Sequence, residues 1–197
     1  MNVYYRFMRI KDSNKKEAIY RATITLLNKI GFSDISMSKI AEEAEVSPST
    51  IYVYFENKDD MMVKVYKNAK EKLSNKMFAG YGNDLPSRSS FELIKRIYIR
   101  FVLENKEEFL FMEQFNNSPY VNFLDKSDIE LLFQPLHDLM ANGKKQRVVK
   151  NVEDSLLFAH IETPIFELAK RSFRGQFTFT EENIESLVNM SWDAIKG

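Results

Sequence analysis

Six glycines and five prolines are all that punctuate 197 residues whose apolar side chains recur mostly at three- and four-residue spacing. Those two residue types interrupt regular structure, so their scarcity beside a helical period points to an all-α fold with few turns. Hydrophobic residues reach 44% and charged residues 28%, which is enough apolar material for a sizeable core and argues against disorder. Cysteine is absent, which removes disulfide frameworks and thiolate metal sites and fits a reducing, cytoplasmic setting. No apolar run is long enough to cross a bilayer, so no membrane partner is expected. The first seven residues lack the apolar stretch and small-residue cleavage site of a secretory signal. They read as an ordered arm, a disordered tail or a misassigned start upstream of Met8.

Caps and breakers then divide the chain. Ser13 can cap a helix running to about Ile30, with Ala18, Ala22, Leu26 and Ile30 on one stripe and Ile19 and Leu27 beside it. Gly31 ends it as a left-handed residue. Ser36 caps a short helix that points Ile40, Ala41 and Ala44 inward. After a tight turn at Glu45-Val46, Ser47-Pro48 starts another short helix, since proline's missing N–H has no helical partner at that position anyway. Asn57 caps a fourth helix reaching roughly Met77, with Asp59 and Asp60 in the first turn, where negative charge suits the helix dipole. The clearest break is 80–87, and helices are expected beyond it at 89–104, 106–116, 126–141, 152–172 and 180–196. Pro135 should kink or split the third of these, Asn142-Gly143 should close it, and Pro164 should kink the fourth. The expected organisation has about nine helices. An N-terminal arm (1–12) precedes a three-helix head (13–58), a connecting helix (59–79) and a larger helical body (80–197).

Two short helices joined by a few residues suggest a helix-turn-helix, whose second helix lies in the major groove of DNA. Such a helix needs one apolar side for anchorage and short hydrogen-bonding groups on the other. The stretch 47–55 meets both requirements: Ile51 and Phe55 are four apart, while Ser49, Thr50, Tyr52 and Tyr54 remain for DNA. Taken singly, each tyrosine reads as readily as a packing residue. Formal net charge is zero, but residues 1–70 carry 12 Lys/Arg against 9 Asp/Glu and the remainder 16 against 19. From Ser47 to Phe55 there is no charge, so no arginine can fork onto guanine. Specificity is then expected from hydroxyls, thymine methyls and DNA shape. The surrounding lysines, with Arg6, Arg9, Lys11, Lys15 and Lys16, would supply counterion release.

The run from Ile40 to Met61, with Ala41, Ala44, Val46-Ser47, Thr50-Ile51-Tyr52, Tyr54-Phe55 and Asn57-Lys58-Asp59 at their spacings, resembles the DNA-binding signature of the TetR (tetracycline repressor) family. The upstream Ala22, Leu26 and Gly31-Phe32 agree with the family's first helix, so the resemblance covers about residues 13–66. It implies that Ser47, Ser49, Thr50, Tyr52 and Tyr54 meet operator bases or phosphates, that Lys58 grips phosphate, and that Ser36 and Lys39 lie at or near the DNA backbone. Glu45 departs from the pattern, which usually has glycine there; if that position needs a positive φ, the departure costs on the order of 1 kcal/mol.

The resemblance also implies a repressor that a small molecule releases from double-stranded operator DNA, a homodimer, and a ligand cavity in the body. Twelve of sixteen phenylalanines lie between Phe91 and Phe179, which is consistent with ordinary core or with a pocket for an apolar or aromatic effector. The candidate lining is Tyr98, Phe101, Met112, Phe115, Phe133, His137, Phe158 and Glu162. Across the dimer seam, the last helix would offer Ile184, Leu187, Val188, Ser191 and Ile195, and the preceding helix Leu156, Ala159, His160 and Thr163; an intramolecular core face is the alternative.

Catalysis finds little footing. The chain has two histidines, no Gly-rich phosphate loop and no His-Glu-x-x-His spacing, so neither a cofactor nor a metal is expected. The rival from another class is a helical protein-interaction module that keeps a regulator-like head without binding DNA.

Overall fold

The computed structural model describes residues 3–80 and 88–197, and side chains from residue 14 onward. Ten α-helices and one 3-10 turn make up the regular structure of the described residues; a single bridge pairs Val149 with Lys196. They are α1 (Val3–Asp34), α2 (Met37–Glu43), α3 (Pro48–Tyr54), α4 (Lys58–Met77), α5 (Arg88–Glu104), α6 (Lys106–Asn116), α7 (Lys126–Leu132), α8 (Gln134–Lys145), α9 (Asp154–Phe173) and α10 (Glu181–Ile195), with the 3-10 turn at Pro119–Phe123. No helix among the described residues is long and apolar enough to cross a membrane.

The chain forms two compact units, one of Met1–Ala69 with Glu107–Asp125 and the other of Lys70–Lys106 with Lys126–Gly197. We call them the head and the body. The expected boundary at residue 80 is therefore displaced. Most of α6 and the 3-10 turn belong with the head, where Asn28 donates to the Glu107 carboxylate at 2.8 Å and accepts from Gln114 at 2.9 Å.

In the head, helix α1 starts at Val3, so Ser13 lies inside the helix and not at its start, and the expected separate arm is helical from Val3. Of the expected stripe Ala22 is buried and Ala18, Leu26 and Ile30 are half-buried, whereas the flanking Ile19 and Leu27, with Thr23, are fully buried, so the inner face is turned toward that flank. Thr23 is admitted because its hydroxyl donates to the Ile19 carbonyl at 2.8 Å, which leaves no buried polar atom unsatisfied. Gly31 does carry a positive φ of 73°, but its ψ of 176° lies outside the left-handed helical region, in territory open essentially to glycine alone. Tyr66 stacks on Phe115 at 4.1 Å and donates to Asn116 at 2.8 Å, joining α4 to α6 within the head.

In the body, α10 packs on α5 and α9, and Phe91 lies 5.5 Å from Trp192. Pro135 does split the third expected helix, into α7 and α8. Gly143 does not end α8, which continues to Lys145 and closes at Arg147 with φ 60°.

Candidate nucleic-acid interface and body cavity

Helix α3 owes its position to a capped start and an anchored end. Ser47, in extended conformation, accepts from the Thr50 N–H at 3.3 Å, and its Oγ lies 2.9 Å from Ser49 Oγ and 2.8 Å from Thr50 Oγ1. The hydroxyls thus form one cluster at the helix N-terminus, where α3 would first meet base edges. Ile51 and Phe55 are buried, with the Phe55 ring 5.9 Å from Tyr20. At the other end Lys64 donates to the Tyr54 carbonyl at 3.3 Å and sits over the Phe55 ring at 5.7 Å. Lys64 also pairs with Asp60 at 2.8 Å, and Asp60 accepts the Glu56 N–H at 3.0 Å. Burial works against the charged form of Asp60. The bond from Lys64, the Glu56 N–H and the lysine charge nonetheless hold its carboxyl below the usual carboxylate range. Asn57 caps α4 as expected, accepting from the Asp60 N–H at 2.9 Å.

The connection from α2 to α3 is a Schellman turn. Val46 N–H reaches the Ala41 carbonyl at 2.9 Å and Glu45 N–H the Glu42 carbonyl at 3.1 Å. Glu45 sits at its left-handed position with φ 54°, so the departure from glycine falls where a positive φ is required. The outer side of α3 then presents Ser49, Tyr52 at 57% exposure and Val53 at 74%, with Thr50 and Tyr54 half-buried. Val53 is the residue that sequence reasoning missed. It stands two positions from both Ile51 and Phe55, and that spacing alone turns it outward.

Around this helix, Ser36 caps α2 by accepting from the Lys39 N–H at 3.3 Å, and Lys39 Nζ donates to the Asp34 carbonyl at 2.8 Å; both residues are exposed. Lys58 is more committed. Its ammonium donates to the Phe32 carbonyl at 3.0 Å and lies 5.9 Å from the Tyr120 ring centre. Lys15 and Lys16 are exposed on α1, whereas the side chains of Arg6, Arg9 and Lys11 fall outside the described residues.

The body holds a small cavity of about 30 Å³, walled by Met77, Phe91, Ile94, Tyr98, Leu136, Leu139, Ile161 and Ile165, with Lys95 and Glu162 as its charged members. Lys95 is buried and donates to the Ile161 carbonyl. Pro164 lies inside the same helix as Ile161, and its missing N–H removes the helical partner of the His160 carbonyl. Burial pushes Lys95 down to about 7, with the Glu162 charge opposing. It pushes Lys70 down too, and Glu162 up against the pull of Lys70, Lys95 and His137.

Two family profiles match the chain: "Bacterial regulatory proteins, tetR family" over residues 19–65, and "Tetracyclin repressor-like, C-terminal domain" over residues 86–196. The chain belongs to the TetR family. A helix-turn-helix-type transcriptional regulator of Haemophilus influenzae is 26% identical over 198 residues, covering 96% of this chain and 100% of that protein. The crystal structure of a TetR family transcription regulator from Marinobacter aquaeolei has TM-score 0.88 and 29% identity, with 95% and 98% of the two chains covered. The fatty acid metabolism regulator protein of Bacillus subtilis is 37% identical over 49 residues, 25% of each chain. The protein is thus a TetR-family transcriptional regulator with a helix-turn-helix DNA-binding domain. TetR regulators bind operator DNA and act as dimers.

For this TetR regulator the body residues singled out from sequence separate into three groups. Tyr98 and Glu162 line the cavity, and His137 acts on the Glu162 charge while stacking edge-on against Phe158 at 5.2 Å. Phe133 lies beneath the Lys70 ammonium, 5.6 Å from its ring centre, and 6.2 Å from Phe78. Met112 and Phe115 belong to the head, and Phe101 is buried without being a cavity wall. An aromatic count cannot distinguish these places. Lys95 was overlooked because a lysine on a helix is normally solvent-facing; the nearby signal is its position four residues after Phe91 and four before Ile99, on the apolar stripe.

The expected dimer stripe of α10 is also corrected. Leu187, Val188, Ser191 and Ile195 are buried by the chain's own fold, so that stripe is the intramolecular core face. Ile184 is half-buried, whereas Leu156 is 53% exposed and Ala159, His160 and Thr163 are exposed along α9.

Proposed function

We propose that this TetR regulator is a cytoplasmic repressor that reads its operator with the outer side of α3 and is released by a small molecule bound in the body. The observation that carries the DNA reading is a seven-residue helix with Tyr52 57% and Val53 74% exposed, while Ile51 and Phe55 on its other side are buried. An apolar valine and an aromatic ring left in water beside a hydroxyl cluster suit thymine methyls and base-edge acceptors. Ser36 and Lys39 flank the reading helix, and Lys58 reaches phosphate by exchanging its Phe32 carbonyl for a stronger, charged acceptor. The dimer forms through Leu156, Ala159, His160 and Thr163 of α9, joined by Ile184 and the exposed Met190 of α10. Release follows if the effector binds only one of two body conformations.

The combined change Thr50→Ala and Tyr52→Ala is expected to lower specific operator affinity by roughly 30-fold to 2 × 10⁴-fold, from two lost base contacts of about 1–3 kcal/mol each. Helicity and dimerisation should persist. Retained operator affinity in a gel-shift titration removes α3 from its assigned role, whereas a parent protein that shifts no DNA leaves the protein-interaction reading in its place. Lys58→Ala should weaken all sequences alike and flatten the salt dependence by about 0.9 in slope; an unchanged slope leaves Lys58 as a tie between Phe32 and Tyr120 only.

A further inference from the structure

Lys58 opens α4, yet its ammonium is already engaged in the DNA-free protein. It donates to the Phe32 carbonyl at 3.0 Å and lies 5.9 Å from the centre of the Tyr120 ring. Acceptor and ring are themselves joined, since the Phe32 and Tyr120 rings are 5.1 Å apart. Phe32 follows the break in α1 at Gly31, and carbonyls in the last turn of a helix lack partners in that helix. Tyr120 comes from outside the helix-turn-helix, in the 3-10 turn that follows α6. That turn is fixed from behind. Buried Ser118 caps it, accepting the Tyr120 N–H at 3.3 Å and donating to the Phe115 carbonyl at 2.7 Å, and Phe115 stacks on Tyr66 of α4. Asn28 of α1 holds α6 through Glu107 and Gln114. All of these residues belong to the head.

We propose that Tyr120 is a positioning residue for Lys58 that lowers the protein's affinity for DNA of any sequence: its ring holds the ammonium on the Phe32 carbonyl, and the phosphate contact of Lys58 forms only when that hold is given up. This rests on the reading that Lys58 grips phosphate. Linkage then fixes the sign, because whatever stabilises the tied lysine and not the DNA-bound one opposes binding. A cation within about 6 Å of an aromatic centre is attracted to the ring face, modestly where water has access. Lys58 and Tyr120 are both half-buried, so the attraction is of that modest kind. The ring supplies it and not the hydroxyl, which makes no hydrogen bond among the described residues. A segment beyond the helix-turn-helix thus sets the strength of a contact that carries no sequence information.

The test uses the whole protein and a short DNA duplex of mixed sequence, with affinity followed by fluorescence anisotropy over a series of salt concentrations. Tyr120→Leu keeps an apolar contact for Phe32 but removes the ring face. It should tighten binding by roughly two- to fivefold at every salt concentration and leave the salt slope unchanged. Tyr120→Phe should bind as the parent does. In a Lys58→Ala background, Tyr120→Leu should have no effect. A merely structural role for Tyr120 gives another pattern: a loosened head binds more weakly, with Lys58 or without it. Weaker or unchanged binding by Tyr120→Leu in the parent, an equal gain in the Lys58→Ala background, or a gain from Tyr120→Phe equal to that from Tyr120→Leu overturns the proposal. Lys58→Ala alone separates the two levels. If it flattens the salt slope while Tyr120→Leu gains nothing, the phosphate reading stands and the hold of Tyr120 is refuted. If it leaves the slope unchanged, the phosphate reading fails and the hold loses its effect on DNA with it.

Discussion

In the head, the groups that form and flank α3 are held by partners close in sequence: Ser47 by Thr50, Asn57 by Asp60, Lys64 by Asp60. In the body, Lys95 is held by the Ile161 carbonyl, 66 residues away. The head's chemistry is thus written in short intervals and faces outward, whereas the body's chemistry exists only once distant helices have packed. A substitution in the head should act through one anchor or one contact. In the body it should act through the burial of charge, and should therefore depend on pH.

The largest effect expected on the local side is Phe55→Ala. The ring is 2% exposed, lies against Tyr20 and carries Lys64 over its face, so truncation is expected to cost about 3–5 kcal/mol. The head should melt at lower temperature with loss of operator binding, while most helical circular dichroism survives in a second transition. A single transition for all the helical signal would show that the two regions do not differ in this way.

Lys95→Met sharpens the comparison from the other side. Because Lys95 is held at about 7, the unfolded chain binds more protons than the folded one between about pH 7 and its ordinary value of 10.5. Stability contributed through this group therefore rises with pH across that window and is lowest below it. The variant removes the buried charge at nearly constant volume. It should be more stable than the parent below pH 7 by on the order of 1–4 kcal/mol, with the gap closing as pH approaches 10.5. Glu162 is coupled to Lys95, so the difference between the two urea-unfolding series reads Lys95 together with its pull on Glu162. A gap independent of pH would mean that Lys95 enters the folded state without giving up proton affinity.

What could be read in advance follows the same division. Caps at Ser36, Ser47 and Asn57 were legible because a cap involves residues three apart, and each is present. The outward side of α3 was legible from the four-residue spacing of Ile51 and Phe55. The inner stripe of α1 was displaced because Thr23 hides its hydroxyl on its own helix, a bond that a hydrophobicity pattern ignores. The α10 stripe was apolar as expected, but periodicity cannot say whether an apolar stripe meets its own chain or a partner; here α5 and α9 take it. Of the cavity's charged members Glu162 was legible, whereas Lys95 needed the tertiary fold: its place between Phe91 and Ile99 on the apolar stripe hints at burial, but the acceptor that admits it, the Ile161 carbonyl, is 66 residues away.

The smallest expected effect compares three turns of one kind. Helices α2, α8 and α9 all end in Schellman turns, with Glu45 (φ 54°), Arg147 (φ 60°) and Gly175 (φ 72°) at the left-handed position. A side chain there costs roughly 1–2 kcal/mol, and glycine returns part of the gain through the greater freedom of its unfolded state. Glu45→Gly and Arg147→Gly are each expected to stabilise by about 0.5–1 kcal/mol, a rise of roughly 1–4 °C for a protein of this size. Gly175→Ala should destabilise by a similar amount, even though an added Cβ would have no neighbour within 4 Å, because only its φ opposes the change. Glu45→Gly also removes a negative charge next to the DNA-facing helix, so it should tighten nonspecific DNA binding slightly at low salt, an effect that Arg147→Gly lacks. If Arg147→Gly stabilises and Glu45→Gly does not, the head turn relieves its left-handed strain through its own immediate surroundings, and the difference between head and body extends to the backbone.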